Sequence, residues 1–335
     1  MQTSYSVKEE YIPFSVNDET FQTYCKIITP DHSNSNENLV HNLSDGRDNS
    51  NGTVIVLHGG PGCSHDYLLP LADLSLPPYN LTVILYDQLG TGLSTHLPSK
   101  HISFWSIDLF ISELENLLSH FHLHDGMSEA SSNSNSYNII GHSWGAILAA
   151  EFIVRRRQLR PPAPTGLRKL VLTNCLASAS LRNAAIRSLR QKLPKDVLKT
   201  LQFHEEAGTT KSVEYRAAMD IFWQCHACRL DPWPEEVTRS IKYWPERDPT
   251  VLDSMRNGPE NLSTGWDITS RIHLMAHIPL LLISGEYDFM TNPVCEPFFW
   301  GADKAKWVKF ANSSHTPFWE ERERFMEVVG RWFVM

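Results

Sequence analysis

Apolar positions along this chain follow two different rhythms. Short unbroken runs, Thr53-Val54-Ile55-Val56-Leu57, Leu81-Thr82-Val83-Ile84-Leu85-Tyr86 and Tyr137-Asn138-Ile139-Ile140, each lead into a Gly-containing turn, and Leu170-Val171-Leu172 and Pro279-Leu280-Leu281-Leu282-Ile283-Ser284 continue the series. Runs of this length, rich in β-branched residues and apolar on both faces, predict buried strands. Between them Ile107, Phe110, Ile111, Leu114, Leu117, Leu118 and Phe121 recur every three to four residues, the spacing of an amphipathic helix, and a second such helix is predicted around Glu321 to Phe333. Strands alternating with helices imply a mainly parallel central sheet covered on both faces, an α/β fold.

The strand signals stop between Cys175 and His273, where aromatic-rich helical segments and breakers such as Asp231-Pro232-Trp233-Pro234 take over. This divides the chain into a core of residues 1–174 and 276–335 and a helical lid insertion at 175–275. Two polar stretches, 31–52 and 126–136, are rich in Asn and Ser. They hold too little apolar surface to offset their ordering entropy, so both read as flexible surface loops.

Candidate chemistry sits where the strands end. Gly141-His142-Ser143-Trp144-Gly145 has the G-x-S-x-G form, after the strand ending at Ile140 and before a helix predicted over Ala146 to Val154. Small residues at both ends of such a turn let it push the serine hydroxyl out at the carboxyl end of the sheet. A serine needs an imidazole base, and the imidazole needs a carboxylate to fix its tautomer. Asp288, in Gly285-Glu286-Tyr287-Asp288, follows the buried strand at 280–284. His315 follows the short strand signal Trp307-Val308-Lys309-Phe310. The order Ser143, Asp288, His315 is that of the α/β-hydrolase fold.

His58-Gly59-Gly60-Pro61-Gly62 follows the first strand signal. Two backbone N–H groups aimed at the developing oxyanion are required for acyl transfer. Trp144, after the nucleophile, is the expected first donor, and Gly60 the second, because a residue without a side chain lets substrate approach the backbone. His142 is expected to pack, and His58 to hydrogen-bond within its own loop.

Composition narrows the picture by exclusion. A formal net charge of −8 argues against a nucleic-acid partner. The one tight basic run, Arg155-Arg156-Arg157, reads as a helix C-terminus complementing its dipole. No run reaches the twenty or so apolar residues of a membrane span, and Met1-Gln2-Thr3-Ser4-Tyr5 lacks a signal-peptide pattern, so a soluble cytoplasmic protein is expected. Six scattered cysteines fit a reduced compartment. Cys225-His226-Ala227-Cys228 lacks a second ligand pair, so neither metal nor organic cofactor is expected.

Taken together, these motifs, with Tyr86-Asp87-Gln88-Leu89-Gly90-Thr91-Gly92-Leu93-Ser94, resemble the ordered motifs of the proline iminopeptidase family, and the stretches at 64–78, 104–118, 230–236 and 320–332 are similar to its fungal, amino-acid-amidase-like members. The resemblance implies cofactor-free release of an N-terminal proline or other small residue, with Ser143, Asp288 and His315 as triad and Gly60 and Trp144 as oxyanion donors. Many members hold the substrate's free amine with a Glu directly after the triad Asp; here that residue is Phe289. Glu260, in Asn257-Gly258-Pro259-Glu260, resembles a second acidic amine ligand, and reads equally as a solvated loop charge. Leu89 stands where an Arg is usual, and Ala146 where a second Gly is common.

The leading expectation is an amide or ester hydrolase of proline iminopeptidase type, working through an acyl-enzyme on a small molecule or short peptide. Phe222, Trp223, Trp233, Trp244 and Trp266 are candidates to line its pocket or to form the core of the lid. The alternatives are a biosynthetic hydrolase, cyclase or acyl transferase of secondary metabolism with the same triad, kept open by Phe289, and a silent binding protein on a hydrolase scaffold. The oligomeric state is not encoded in any of these features.

Overall fold

A computed structural model of the protein describes residues 4–31, 51–123, 136–157 and 166–335. The polar stretches at 31–52 and 126–136 lie outside the described residues except at their ends.

Eight strands form one sheet: β1 (Tyr5–Val16), β2 (Glu19–Pro30), β3 (Thr53–Leu57), β4 (Thr82–Tyr86), β5 (Tyr137–His142), β6 (Leu167–Thr173), β7 (Leu280–Gly285) and β8 (Ala305–Phe310), in the order β1-β2-β4-β3-β5-β6-β7-β8. All neighbours from β4 to β8 pair in parallel. The antiparallel hairpin β1–β2 adds to the β4 edge. The reading from apolar runs left this hairpin out, because β1 interleaves charges and a proline with its apolar residues. Its turn, Asn17-Asp18 with φ of 49° and 63°, is the two-residue left-handed type that Asn and Asp tolerate.

Helices α1 (Ile107–His120) and α2 (Trp144–Arg157) follow β4 and β5. Between β6 and β7 lies the inserted helical region, with α3 (Ala179–Arg190), α4 (Lys195–Glu206), α5 (Val213–His226), α6 (Glu235–Thr238), α7 (Trp244–Arg247) and α8 (Thr250–Asn257). The chain closes with α9 (Asn292–Gly301), α10 (Pro317–Glu320) and α11 (Arg322–Val334). Among the described residues no helix is long and apolar enough to cross a membrane.

Each central strand divides its side chains between two cores, as the period of two requires. Ile55, Leu57, Ile84, Leu170, Leu172, Leu280 and Leu282 pack with α1, α2 and α9. Val54, Val56, Val83, Leu85, Val171, Leu281 and Ile283 pack on the other face, with the helical turns at His65–Ser75 and with α11. This double cover explains why the strands are apolar throughout rather than alternating. The helical insertion holds a smaller core of its own around Leu193, Val197, Leu201, Ala218 and Phe222, and Phe289 packs against both it and the main core.

Candidate active site

Ser143 sits at the junction of β5 and α2 with φ of +55°, a left-handed conformation for a residue that carries a side chain. The flanking sequence makes that turn possible. A Cβ on Gly145 would lie 2.0 Å from the Leu57 carbonyl oxygen, and one on Gly141 2.5 Å from that of Gly145. Only glycine lets the helix start press this closely against β3 and β5. The Ser143 N–H is held by the Thr173 carbonyl, 3.1 Å away on β6, and the Ser143 carbonyl accepts from Ala146 N–H at 3.0 Å. Backbone strain at this buried turn is thus offset by contacts on both sides.

Asp288 and His315 come from the loops after β7 and β8. His315 Nδ1 is 2.8 Å from Asp288 Oδ1. A carboxylate only accepts, so Nδ1 carries the hydrogen, and Nε2 of the neutral ring is left as the basic nitrogen. Asp288 is buried and receives two further donors, Met290 N–H to Oδ1 at 2.9 Å and Asn174 Nδ2 to Oδ2 at 2.7 Å. Asn174 also donates to the Ser314 carbonyl at 3.0 Å. It therefore ties the carboxylate loop to the histidine loop. In this conformation the Ser143 hydroxyl makes no hydrogen bond to His315 among the described residues; contacts of this kind commonly close only in the substrate complex.

The two histidines expected to have minor roles link the site together. His142 Nε2 lies 2.8 Å from the His315 carbonyl and Nδ1 lies 2.6 Å from the Tyr67 hydroxyl. The carbonyl can only accept, so Nε2 donates, Nδ1 accepts, and Tyr67 donates to it while taking the Gly59 N–H at 2.7 Å. Burial pushes His142 well below the usual histidine range, and the neighbouring His315 adds to this, so it stays neutral. His58 accepts the Gln88 N–H on Nε2 at 3.0 Å and donates from Nδ1 to the Gly59 carbonyl at 2.9 Å. Burial lowers its pKa to about 4. Gln88 donates to the His58 carbonyl at 3.1 Å and accepts the Trp144 indole N–H at 2.7 Å.

These bonds fix the loop that carries Gly60. Its φ is +115°, and a Cβ there would fall 2.6 Å from Gly62 N, so glycine is required. Gly60, Ser143 and Trp144 share one small cavity with Pro61, Ile147, Leu176, Arg182, Arg256, Leu262 and Met290. Neither the Gly60 N–H nor the Trp144 N–H meets an acceptor among the described residues.

Other sequence candidates fall elsewhere. The Glu260 carboxylate accepts the Ile107 N–H at 2.8 Å, at the start of α1, and lies 3.7 Å from Arg155. It is neither a solvated loop charge nor a cavity wall. Phe289 lies against the His315 ring, centroids 4.3 Å apart, and Trp223 against Phe289 at 5.5 Å. Phe222 is core of the helical region; the Trp233, Trp244 and Trp266 indoles donate to Cys228 O, Asp66 and Glu151. Leu89 is buried core, and so is Ala146. Arg155 and Arg156 pair with carboxylates of α1 as well as ending α2. Asn174, Tyr67, Arg182 and Arg256 escaped the sequence reading. A lone Asn after a strand or an Arg in a helix carries no signal of its own.

Comparison with known proteins agrees with this architecture. Residues 54–328 match the alpha/beta hydrolase family. The chain is 32% identical over 285 residues to a proline iminopeptidase of Saccharolobus solfataricus, covering 84% of each, and 28% identical over 337 residues to one of Lactobacillus delbrueckii subsp. bulgaricus, covering 98% of each. Among solved structures it is similar to the proline iminopeptidase of Mycobacterium smegmatis, with 31% identity, a TM-score of 0.77 and 97% of each chain covered, and to VinJ, with 33% identity, a TM-score of 0.79 and 97% of this chain and 98% of that one covered. With its parallel sheet, its inserted helical region and this degree of identity over most of its length, the chain belongs to the proline iminopeptidase family of α/β hydrolases.

Proposed function

We propose that this protein is a serine hydrolase that cleaves a small amide or ester, in the manner of a proline iminopeptidase, through an acyl-enzyme on Ser143. The observation that carries the reading is a strained serine sharing one cavity with two backbone donors that lack acceptors, at the sheet edge where a buried carboxylate locks a histidine.

The steps follow from the groups present. The substrate carbonyl oxygen takes the N–H groups of Gly60 and Trp144, which stabilise the charge that develops on it. Ser143 Oγ attacks the carbonyl carbon and its proton passes to His315 Nε2. Asp288 stabilises the imidazolium through Nδ1, and its bonds from Met290 and Asn174 keep its charge in place. The proton then goes to the leaving nitrogen or oxygen. Water, deprotonated by the same nitrogen, releases the acyl group.

A second reading keeps this machinery but drops the requirement for a free amino terminus. It is favoured by the cavity lining, which includes no acidic side chain, and by Phe289 and Glu260 being engaged with His315 and with α1. A matched panel separates the two readings: 4-nitroanilides of proline and alanine, their N-acetyl analogues and a simple ester. A kcat/KM preference for the free amine above about a hundredfold supports aminopeptidase action. A ratio near one supports the second reading, and no turnover of any of them counts against both.

A further inference from the structure

Among the described residues, the only formal charges in the wall of the Ser143 cavity are two arginines, Arg182 from α3 and Arg256 from α8. Neither forms an ion pair among the described residues, although most other arginines on this chain that face a neighbour do so, as Arg155, Arg156 and Arg271 show. Arg182 spends Nη2 on the carbonyls of Leu262, 3.1 Å away, and Ser263, 2.8 Å away, and shares the Asn183 side-chain oxygen between Nε and Nη2. These bonds hold the fork in place while Nη1 makes no hydrogen bond among the described residues. The Arg256 side chain makes none there either. The carboxylate that acts on it, Asp253, lies one turn earlier on α8 and is exposed. Arg256 is solvent-exposed and also borders the cavity.

The electrostatics are those of a site short of negative charge. Burial, helped by Arg256, brings Arg182 down to about 10. The Cys63 thiol near Arg256 supplies no charge, since burial pushes it up to about 12. Two like charges facing one cavity without a carboxylate repel each other, and Arg182 is partly desolvated. An arriving oxyanion relieves both costs, and the guanidinium fork matches its geometry.

We propose that the cavity beside Ser143 binds an acidic group of the substrate through Arg256 and Arg182, making this a hydrolase of anionic amides or esters. The proposal deepens the acyl-enzyme reading and rests on it for the position of the scissile bond. Arg256 is the unbonded ligand, and Arg182 is the one held by the Leu262 and Ser263 carbonyls. An ammonium group in the same cavity would face repulsion from both, the reverse of what release of a free N-terminal residue requires.

Two measurements made in parallel test this on the intact protein. The first is calorimetric binding, at fixed ionic strength, of glutarate, inorganic phosphate, neutral glutaramide and prolinamide. The second is the rate of Ser143 labelling by an uncharged fluorophosphonate in the presence of each. Glutarate or phosphate is expected to bind at least tenfold more tightly than glutaramide and to slow labelling in proportion, the better of the two identifying a carboxylate or a phosphate as the natural group. R256Q is expected to weaken that binding roughly ten- to a hundredfold, the size of a lost charge-assisted contact, with R256K keeping part of it. Equal binding of glutarate and glutaramide by the wild type, tighter binding of prolinamide, or an anion that binds without slowing labelling overturns the proposal with no variant needed. Absence of labelling at Ser143 with intact anion binding refutes the acyl-enzyme reading and leaves the anion site standing.

Discussion

His142 donates its Nε2–H to the backbone carbonyl of His315, 2.8 Å away, so the residue before the candidate nucleophile holds the loop of the candidate base. Through Tyr67 the same ring reaches the Gly59 N–H beside the oxyanion loop. Three loops from distant parts of the chain are thereby set relative to one another by a single neutral imidazole. Replacing it, His142→Ala, leaves the Tyr67 O–H donor and the His315 carbonyl without partners, while Tyr67 keeps the Gly59 N–H. Each buried group left unpaired costs about 1–3 kcal/mol, so urea denaturation is expected to show a clear loss of stability, and kcat a fall of roughly tenfold or more. Wild-type kcat with only a shifted unfolding midpoint would reduce His142 to a packing residue.

Asn174 offers a cleaner test of positioning, because it touches Asp288 and the Ser314 carbonyl rather than the cavity. Asn174→Ala should lower kcat about tenfold, the equivalent of one lost hydrogen bond to a charged group, and leave KM nearly unchanged. Asn174→Asp should be worse, since it sets a second carboxylate against Asp288. A change confined to KM would argue that Asn174 acts on substrate binding instead.

The contrast between these two residues shows what the sequence could and could not disclose. The turn around Ser143 was legible because its constraints are local: Gly141 and Gly145 are needed by contacts within a few residues of the serine and with the strand beside it. The buried strands were legible because double cover makes them apolar on both faces. Asp288 and His315 could be placed by their position after β7 and β8. By contrast, Glu260 finds its partner at Ile107, far away in sequence, and no local pattern marks a carboxylate that caps a distant helix. Arg182 and Arg256 meet only because two helices of the insertion converge on the cavity. The β1–β2 hairpin went unread although its Asn17-Asp18 turn was visible.

Glu151, on α2 directly behind the elbow, anchors the helical insertion. Its buried carboxylate receives the Trp266 indole N–H at 2.9 Å, Arg271 at 2.7 and 3.0 Å, and Arg155 at 2.9 Å. Those arginines hold its pKa below the ordinary value against the opposing effect of burial. Glu151→Ala strands the Trp266 indole and leaves Arg271 without its carboxylate, while Arg155 keeps Asp108, and roughly 3 kcal/mol of stability should be lost. Limited proteolysis should then cut first within residues 179–275. Unchanged proteolysis with a lowered midpoint would place the effect in α2 alone.

Glu113 gives stability a pH dependence of defined sign. Burial raises its pKa to about 7, despite bonds from Thr23 and from the Leu89 N–H. In the unfolded chain it titrates near 4.3, so between about 4.3 and 7 the folded state holds a proton that the unfolded state has released. Its contribution is fully present below about 4.3 and is lost as pH rises through about 7. Glu113→Gln removes this term. The variant should gain on the wild type as pH rises from 5 to 8 in thermal melts, by a few kcal/mol at most. Parallel curves for the two proteins across that range would show that Glu113 is ionised throughout.

The most direct test of the acyl-enzyme assignment is intact-protein mass spectrometry after treatment with a fluorophosphonate, on the wild type and on Ser143→Ala. One covalent adduct on the wild type, mapped to the peptide containing Ser143, and none on the folded Ala variant is the predicted result. Labelling of the Ala variant at the wild-type rate, or no adduct on either protein, would contradict the account.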